Sequence, residues 1–340
     1  MSRAYELARQ HRTHPNPRVG CVVVVDGHVV GEGAHAGPGH AHAETVALDA
    51  AGDVAGAIVY VSLEPCAHHG QTPPCADRLI DEGVARVVIG ATDPDPRVSG
   101  AGIGALRGAG IDVEVLDDTA ARELDAGYFH HRETGMPLVT VKWAMTLDGS
   151  VAAADRTSRW ISSERSREDA HRLRSNMDAV VIGAGTLRAD DPRLDVRLQS
   201  FDGPQPRPVV VAGRGEIPGD ALLWQRKPIV FAGYQLSIPS GEMVVVPDVD
   251  GYPGPVEVCR ALADRGMFDI LLEGGPTLAG AWWRAGVIDR GIVYIGAKIG
   301  GGRGHTPLAG VFESIADADE VEMEMSSVDG EVRISFRKKV

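Results

Sequence analysis

The chain is short of the residues that would place it in several large protein classes. Four cysteines in 340 residues cannot make the disulfide framework of a small secreted domain. Aromatic residues reach only 5%, and with abundant Gly, Ala and Val this reads as compact α/β structure rather than disorder. Positive charge is also scarce: 34 Lys and Arg against 47 Asp and Glu give a net charge of −13. That disfavours nucleic acid or an anionic membrane as the main partner and leaves any phosphate to local arginines. No run approaches the roughly 18 apolar residues of a membrane span. The start Met1-Ser2-Arg3-Ala4-Tyr5-Glu6 lacks a signal peptide's apolar stretch, so a cytoplasmic protein is expected.

One stretch is dense in chemistry. His42-Ala43-Glu44 opens a helix, Glu64-Pro65-Cys66 follows a strand, and Thr72-Pro73-Pro74-Cys75 precedes another helix. One imidazole and two thiols suit Zn²⁺ with its fourth position left open, where the metal acidifies water. Glu44 is then the group that can carry a proton from water to a departing amine. A closed structural zinc is the alternative, with His68 or His69 as fourth ligand. Cys21, inside an apolar run, and Cys259, in an expected helix, read as packing residues.

His-x-Glu followed by Pro-Cys and a second Cys resembles the zinc nucleobase deaminases. Here eight residues, Ala67 to Pro74, separate the two cysteines, where the common form has two. That insert, with Pro15-Asn16-Pro17-Arg18-Val19-Gly20 upstream, looks like the pyrimidine deaminase of riboflavin biosynthesis. The resemblance implies that Asn16 meets the pyrimidine and that His68 and His69 lie near a ribose phosphate. By residue type alone Asn16 is also a turn former.

In chain order the first half reads as a helix over 3–10, a hairpin of Val19 to Val25 and His28 to His35 about Asp26-Gly27, and a helix over 42–51. Strands follow at 57–63, 85–91 and 111–116, helices at 74–82 and from about 101, and a polar helical stretch over 118–131. Gly100-Ala101-Gly102-Ile103-Gly104-Ala105 matches a dinucleotide fingerprint but does not directly follow its strand, so helix packing is expected. Residues 133–137 read as a linker.

The pattern restarts near 138, with strands at 138–146, 179–183, 208–212, 228–232, 243–246, 269–272, 291–297 and 331–337 and helices near 163–177, 257–265 and 277–285. Four clusters stand out: Lys142 to Gly149; Ser158 to Ser162; His171 to Arg174 running on through Gly183-Ala184-Gly185 to Leu194; and Glu273-Gly274-Gly275-Pro276-Thr277. The last offers free amides to a phosphate. A tight strand exit explains Gly183 and Gly185 equally well, and a solvated face or ion pair explains Arg174 and Arg197.

In this order the clusters resemble the reductase half of the same bifunctional family, a dihydrofolate-reductase-like fold that uses NADPH without a Rossmann fingerprint. The resemblance implies a cytidine-deaminase-like α/β/α sandwich over 1–137 and a reductase α/β domain over 138–340. It implies that His42, Cys66 and Cys75 bind zinc beside catalytic Glu44. NADPH would meet Ala144, Trp160, Thr186, Asp190, Gly275, Pro276, Thr277, Leu278, Ala279, Gly280 and Ala281. Substrate would meet Asn16, Lys142, Ser158, Arg174, Leu194, Arg197 and Glu273.

The reaction it implies is hydrolytic deamination of a ribosylamino-pyrimidinone 5′-phosphate, then reduction of its ribosyl group. A small-molecule substrate and a homo-oligomer, dimer or tetramer, are expected. The rival readings are a nucleotide or tRNA base deaminase with an accessory domain, and a pterin or folate reductase fused to a structural zinc module.

Overall fold

The structure, a computed structural model, describes residues 1–339 apart from 68–72, 156, 158, 159, 214, 215, 303 and 313, with Ile315 described by its backbone only. The chain divides into two compact units, Met1–Met136 and Pro137–Val340.

The first unit runs α1 (Ser2–Ala8), β1 (Gly20–Val25), β2 (His28–Ala34), α2 (Ala43–Ala51), β3 (Ile58–Val61), α3 (Cys75–Asp81), β4 (Arg86–Ile89), α4 (Ala101–Gly108), β5 (Asp112–Val115), α5 (Thr119–Leu124) and α6 (Ala126–Thr134). Its sheet order is β2-β1-β3-β4-β5. β1 is antiparallel to β2 and β3, and β3, β4 and β5 are parallel. Asp26 and Gly27 take φ of 50° and 79°, the positive pair that a two-residue hairpin turn needs.

α2 lies so close to β2 that a Cβ on Gly33 would stand 2.1 Å from the Ala43 carbonyl. Only glycine permits this approach, and it presses the first turn of α2 against the sheet. Leu79, Ile89 and Leu106 are fully buried in the core between, worth about 1.5–3 kcal/mol each. The stretch 118–131 is not one helix. It breaks at Asp125 (φ −139°, ψ 53°), whose carboxylate meets His14 Nε2 at 2.8 Å and accepts the Arg18 backbone N–H at 2.7 Å. The break thereby ties α5 and α6 to the loop that carries Asn16.

The second unit runs β6 (Leu138–Thr146), α7 (Glu164–Ser175), β7 (Ala179–Gly183), α8 (Ala184–Asp190), β8 (Arg207–Val211), β9 (Ile229–Ala232), β10 (Glu242–Val245), β11 (Asp248–Val249), β12 (Tyr252–Pro253), α9 (Pro255–Ala263), β13 (Asp269–Leu272), α10 (Pro276–Arg284), β14 (Arg290–Gly296), β15 (Val321–Val328) and β16 (Glu331–Lys338). Nine strands form one sheet in the order β10-β9-β8-β7-β13-β6-β14-β16-β15, and β11 pairs with β12 apart from it. The strands from β10 to β14 are parallel, and β16 and β15 close the edge antiparallel.

The chain steps outward from β6 to β10 and returns to insert β13 between β7 and β6, the kind of reversal that opens a crevice at the carboxyl ends of parallel strands. Leu272 is paired with Val141, so Glu273 leaves β13 beside Lys142. β11, β12, β15 and α8 have no counterpart among the elements that the sequence predicts. Most of β15 is exposed, so it shows no core-facing alternation.

Candidate functional site

In the first unit His42 is the N-cap of α2, in extended conformation and without a capping side-chain bond, so its ring is free to turn towards the thiols. Its Nδ1 lies 3.2 Å from Cys75 Sγ and 3.6 Å from Cys66 Sγ, and the three ligand atoms lie within 4.8 Å of one another. Tetrahedral zinc, with bonds of about 2.0–2.3 Å, holds N and S ligand atoms about 3.5–3.8 Å apart. The donor set therefore fits the ion. The Cys75 thiol, its backbone N–H (3.4 Å from Cys66 Sγ) and the His42 ring favour the Cys66 thiolate and pull that thiol down, while the neighbouring charge and burial push the Cys75 thiol up.

Glu44 sits in the first turn of α2, 3% exposed. Burial pushes its carboxyl up to about 7, with the Cys66 charge adding to the effect. It faces a cavity of about 410 Å³ that His42 and Cys66 also line.

Asn16 and His35 form one wall of this cavity. His35 Nδ1 is 3.0 Å from the Ala41 carbonyl and its Nε2 is 3.0 Å from Asn16 Nδ2. These partners require a neutral ring with the proton on Nδ1, so that Nε2 accepts from the amide. Burial, which holds His35 below its usual range, agrees. With Nδ2 committed, Asn16 presents Oδ1 as an acceptor.

The lining also includes Asp93, Asp95, Arg97, Tyr128 and Arg132, none of which the sequence marks as functional. Burial pushes Asp93 up to about 6, where it accepts from Tyr128 Oη at 3.2 Å. Arg97, bonded at 2.9 and 2.6 Å, holds Asp95 down at about 2. The available signal is positional: Asp93-Pro94-Asp95-Pro96 leaves the carboxyl side of β4, the parallel neighbour of the strand that leads to Cys66.

Glu64 lines the cavity but is fully engaged. Its two oxygens accept from the backbone N–H groups of Asp93, Gly100, Gly102 and Ile103 at 3.0–3.3 Å. A Cβ on Gly102 would lie 1.9 Å from the Pro65 carbonyl. The glycine-rich stretch therefore packs a helix end against the cysteine-bearing turn. His68 and His69 lie outside the described residues.

In the second unit Lys142 Nζ stands 4.0 Å from Glu273. Arg174 grips Glu273 with Nε and Nη2, each at 3.0 Å, and its Nη1 donates to the Asp195 carbonyl at 2.7 Å. Burial lowers Lys142 against the pull of Glu273. Burial would raise Glu273, but Arg174 and Lys142 outweigh it and hold the carboxyl low. Arg197 extends to solvent and pairs with Asp195 at 2.6 Å. Leu194 is buried with φ of 54°.

Thr186 and Asp190 lie on α8, Gly275 caps α10, and Pro276 to Ala281 form the first residues of α10. The two helix starts adjoin: a Cβ on Gly275 would stand 3.7 Å from Thr186 Oγ1. Leu278 packs against Gly183 and Gly274, while Ala279 and Gly280 are buried. Ala144 is half-buried in β6. Trp160 is 58% exposed, with the Arg167 guanidinium 4.3 Å from its ring centre. Ser158 lies outside the described residues.

Among the described residues no helix is long and apolar enough to cross a membrane. Two family models match the chain: the cytidine and deoxycytidylate deaminase zinc-binding region over residues 1–91, and the RibD C-terminal domain over residues 137–329. The chain is 40% identical to riboflavin biosynthesis protein RibD of Escherichia coli (strain K12) over 342 residues, covering 94% of this chain and 93% of that one. Acinetobacter baumannii RibD, form 1, superposes with a TM-score of 0.91 at 33% identity, covering 100% of this chain and 98% of the other. A diaminohydroxyphosphoribosylaminopyrimidine deaminase/5-amino-6-(5-phosphoribosylamino)uracil reductase from Thermotoga maritima does so at 0.91 and 32%, covering 100% and 97%. A deaminase zinc site in one unit and a reductase domain in the other agree with these likenesses, and the chain belongs to the RibD family, the bifunctional deaminases and reductases of riboflavin biosynthesis.

Proposed function

We propose that residues 1–137 deaminate 2,5-diamino-6-ribosylamino-4(3H)-pyrimidinone 5′-phosphate and that residues 138–340 reduce the ribosyl group of the product to ribityl with NADPH. The observation that carries the first step is the meeting of His42, Cys66 and Cys75 beside buried Glu44, with His42, Glu44 and Cys66 lining one cavity. Zinc held by these three residues supplies an electrophile that acidifies water.

Glu44 takes the proton from the attacking water at a carboxylate oxygen and gives it to the amino nitrogen. A C–O bond forms, the C–N bond breaks and ammonia leaves. Asn16 Oδ1, oriented through His35, accepts from an N–H on the pyrimidine edge. The burial of Glu44 favours a carboxyl that can hold this proton near neutral pH.

In the second step NADPH supplies a hydride for C1′ of the ribosyl group, which becomes a CH₂ as its bond to the ring oxygen opens and that oxygen gains a proton. Thr186, Asp190, Gly275 and the start of α10 cradle the cofactor, with Ala144 and Trp160 flanking it. Arg174 serves the substrate by fixing Glu273 for the ribose hydroxyls, since its own fork is engaged. Lys142 reaches the ribose from β6, and Leu194 and Arg197 meet the phosphate. The protein acts in the cytoplasm as a homo-oligomer, and its four unpaired thiols accord with a reducing compartment.

Mass spectrometry of products from zinc-loaded protein tests the whole reading. A deaminated ribosyl product is expected without NADPH, and its ribityl form once NADPH is added. No deamination with zinc bound would refute the first step, and a ribosyl product unchanged by NADPH would refute the second.

A further inference from the structure

The loop 193–197 of the second unit is held at successive points by four side chains from three other segments. Arg226 Nη1 donates to the Arg193 carbonyl at 3.0 Å and Arg174 Nη1 to the Asp195 carbonyl at 2.7 Å. Gln205 Oε1 accepts the Val196 N–H at 2.7 Å, and His171 Nδ1 accepts the Arg197 N–H at 3.3 Å. A surface loop fixed this tightly presents its outward groups, Arg193 and Arg197, at set positions.

The charges around it do not balance. Arg174, Arg193, Arg197, Arg207 and Arg226 surround two carboxylates, Asp195 and Glu273. Glu273 is taken by Arg174, and Asp195 by Arg193 at 3.3 Å and Arg197 at 2.6 Å. Arg226 turns its fork onto main-chain carbonyls, with Nη2 donating to the Pro206 carbonyl at 2.8 Å. Arg207 Nε is buried without a hydrogen-bond partner. Among the described residues neither Arg207 nor Arg226 has a carboxylate within salt-bridge distance. Burial lowers Arg226, and the nearby Arg174, Arg193 and Arg207 add to that effect against Asp195.

Half-buried cations without counter-charge are costly unless a ligand supplies it. In a chain of net charge −13 their gathering at one loop needs a local reason. A phosphate monoester carries up to two negative charges and acceptor oxygens that suit guanidinium forks.

We propose that Arg226, backed by Arg207, is a positioning residue of a phosphate-monoester site on the 193–197 loop. It acts by holding the Arg193 carbonyl and by leaving the loop a surplus of positive charge that the phosphate neutralises. This rests on the reading of the second unit as reductase of a phosphoribosyl substrate. The substrate's 5′-phosphate and the 2′-phosphate of NADPH share the chemistry required, and the experiment separates them.

The test uses full-length zinc-loaded protein, the deaminated intermediate with and without its phosphate, and the variants Arg226→Gln and Arg226→Lys. Arg226→Gln is expected to raise KM for the phosphorylated intermediate about tenfold with kcat changed less than about twofold, and to flatten the dependence of KM on salt. KM for the dephosphorylated intermediate should not move. Arg226→Lys should restore the salt dependence. A rise in KM for NADPH but not NADH, with the intermediate unaffected, would assign the same site to the cofactor's 2′-phosphate. Equal losses with both intermediates and no recovery with lysine would mean a merely structural arginine and overturn the proposal.

Calorimetric titration with ribose 5-phosphate separates this proposal from the functional reading. Binding that Arg226→Gln weakens, in a protein that fails to reduce the intermediate, would sustain the site and refute the reductase reading. Reduction unchanged in Arg226→Gln, with ribose 5-phosphate binding equally strong, would refute the site alone.

Discussion

In the first unit the zinc-site residues His42 and Cys75 are 33 positions apart, and the two thiols of the site are half of the chain's four cysteines. In the second, the central ion pair joins Arg174 to Glu273 across 99 positions, and both types are common on any surface. The difference is one of redundancy. A zinc site has three ligands and one proton carrier, with no substitute for any of them. A cradle for a phosphorylated substrate and a dinucleotide spreads its energy over many weak contacts. The first should fail abruptly and the second by degrees.

The sharpest break is Glu44→Gln. Zinc content should stay at one ion per chain while deamination falls about 1,000-fold, within the range of a lost general acid–base group. Reduction of supplied deaminated intermediate should be unaffected. Normal deamination by the variant would remove Glu44 as proton carrier and the contrast with it.

Glu273→Gln should show the graded side. Arg174 loses the charge that both Nε and Nη2 engage, and steady-state kinetics should give a fall of about 10- to 100-fold in kcat/KM for reduction. Deamination should not change. A collapse as deep as that of Glu44→Gln would mean that the second unit is no more distributed than the first.

The smallest effect concerns stability. Burial first, then Arg174 and Arg197, lower His171 to about 4, against about 6.5 when unfolded. Between those values the unfolded chain binds the extra proton, so stability rises with pH across the window and is lost as pH falls through it. Denaturant titrations from pH 4 to 7 should show His171→Asn losing about 1 kcal/mol of that slope, a figure reduced for the ring's partial exposure. An unchanged slope would show that the ring does not titrate in that window.

The same contrast governs what the sequence reveals. His42, Cys66 and Cys75 are legible because their chemistry is rare and their spacing short. Most parallel strands of both units are legible because they are apolar runs, whereas β5 alternates acidic residues with valine. β15 is not, since Met323 and Met325 are 61% and 76% exposed and the strand has no core face to impose a pattern. Its turn, Asp329-Gly330, takes φ of 52° and 79°, the same signal as Asp26-Gly27. It stands directly before β16, so a strand before it is what the dipeptide implies.

Asp93, Asp95, Tyr128 and Arg132 are hidden for another reason. They line one cavity only when the end of β4 and α6 are brought together, and beyond the position of Asp93 and Asp95 after β4 nothing in the sequence separates them from ordinary loop and helix residues. Asp125 is similar: within a polar helical stretch, nothing marks it as the position where the helix gives way to hold the Asn16 loop.

Glu44 and Glu64 are the same side chain facing the same cavity, yet only one of them is open to reaction. A carboxylate has about four lone-pair positions, and four backbone amides fill those of Glu64. Folding has made Glu64 chemically silent, an anion that neither water nor substrate can recruit. A second open carboxylate would compete for the proton that Glu44 carries and admit an unproductive tautomer of the site. The saturated one fixes the cysteine-bearing turn and stays out of the reaction.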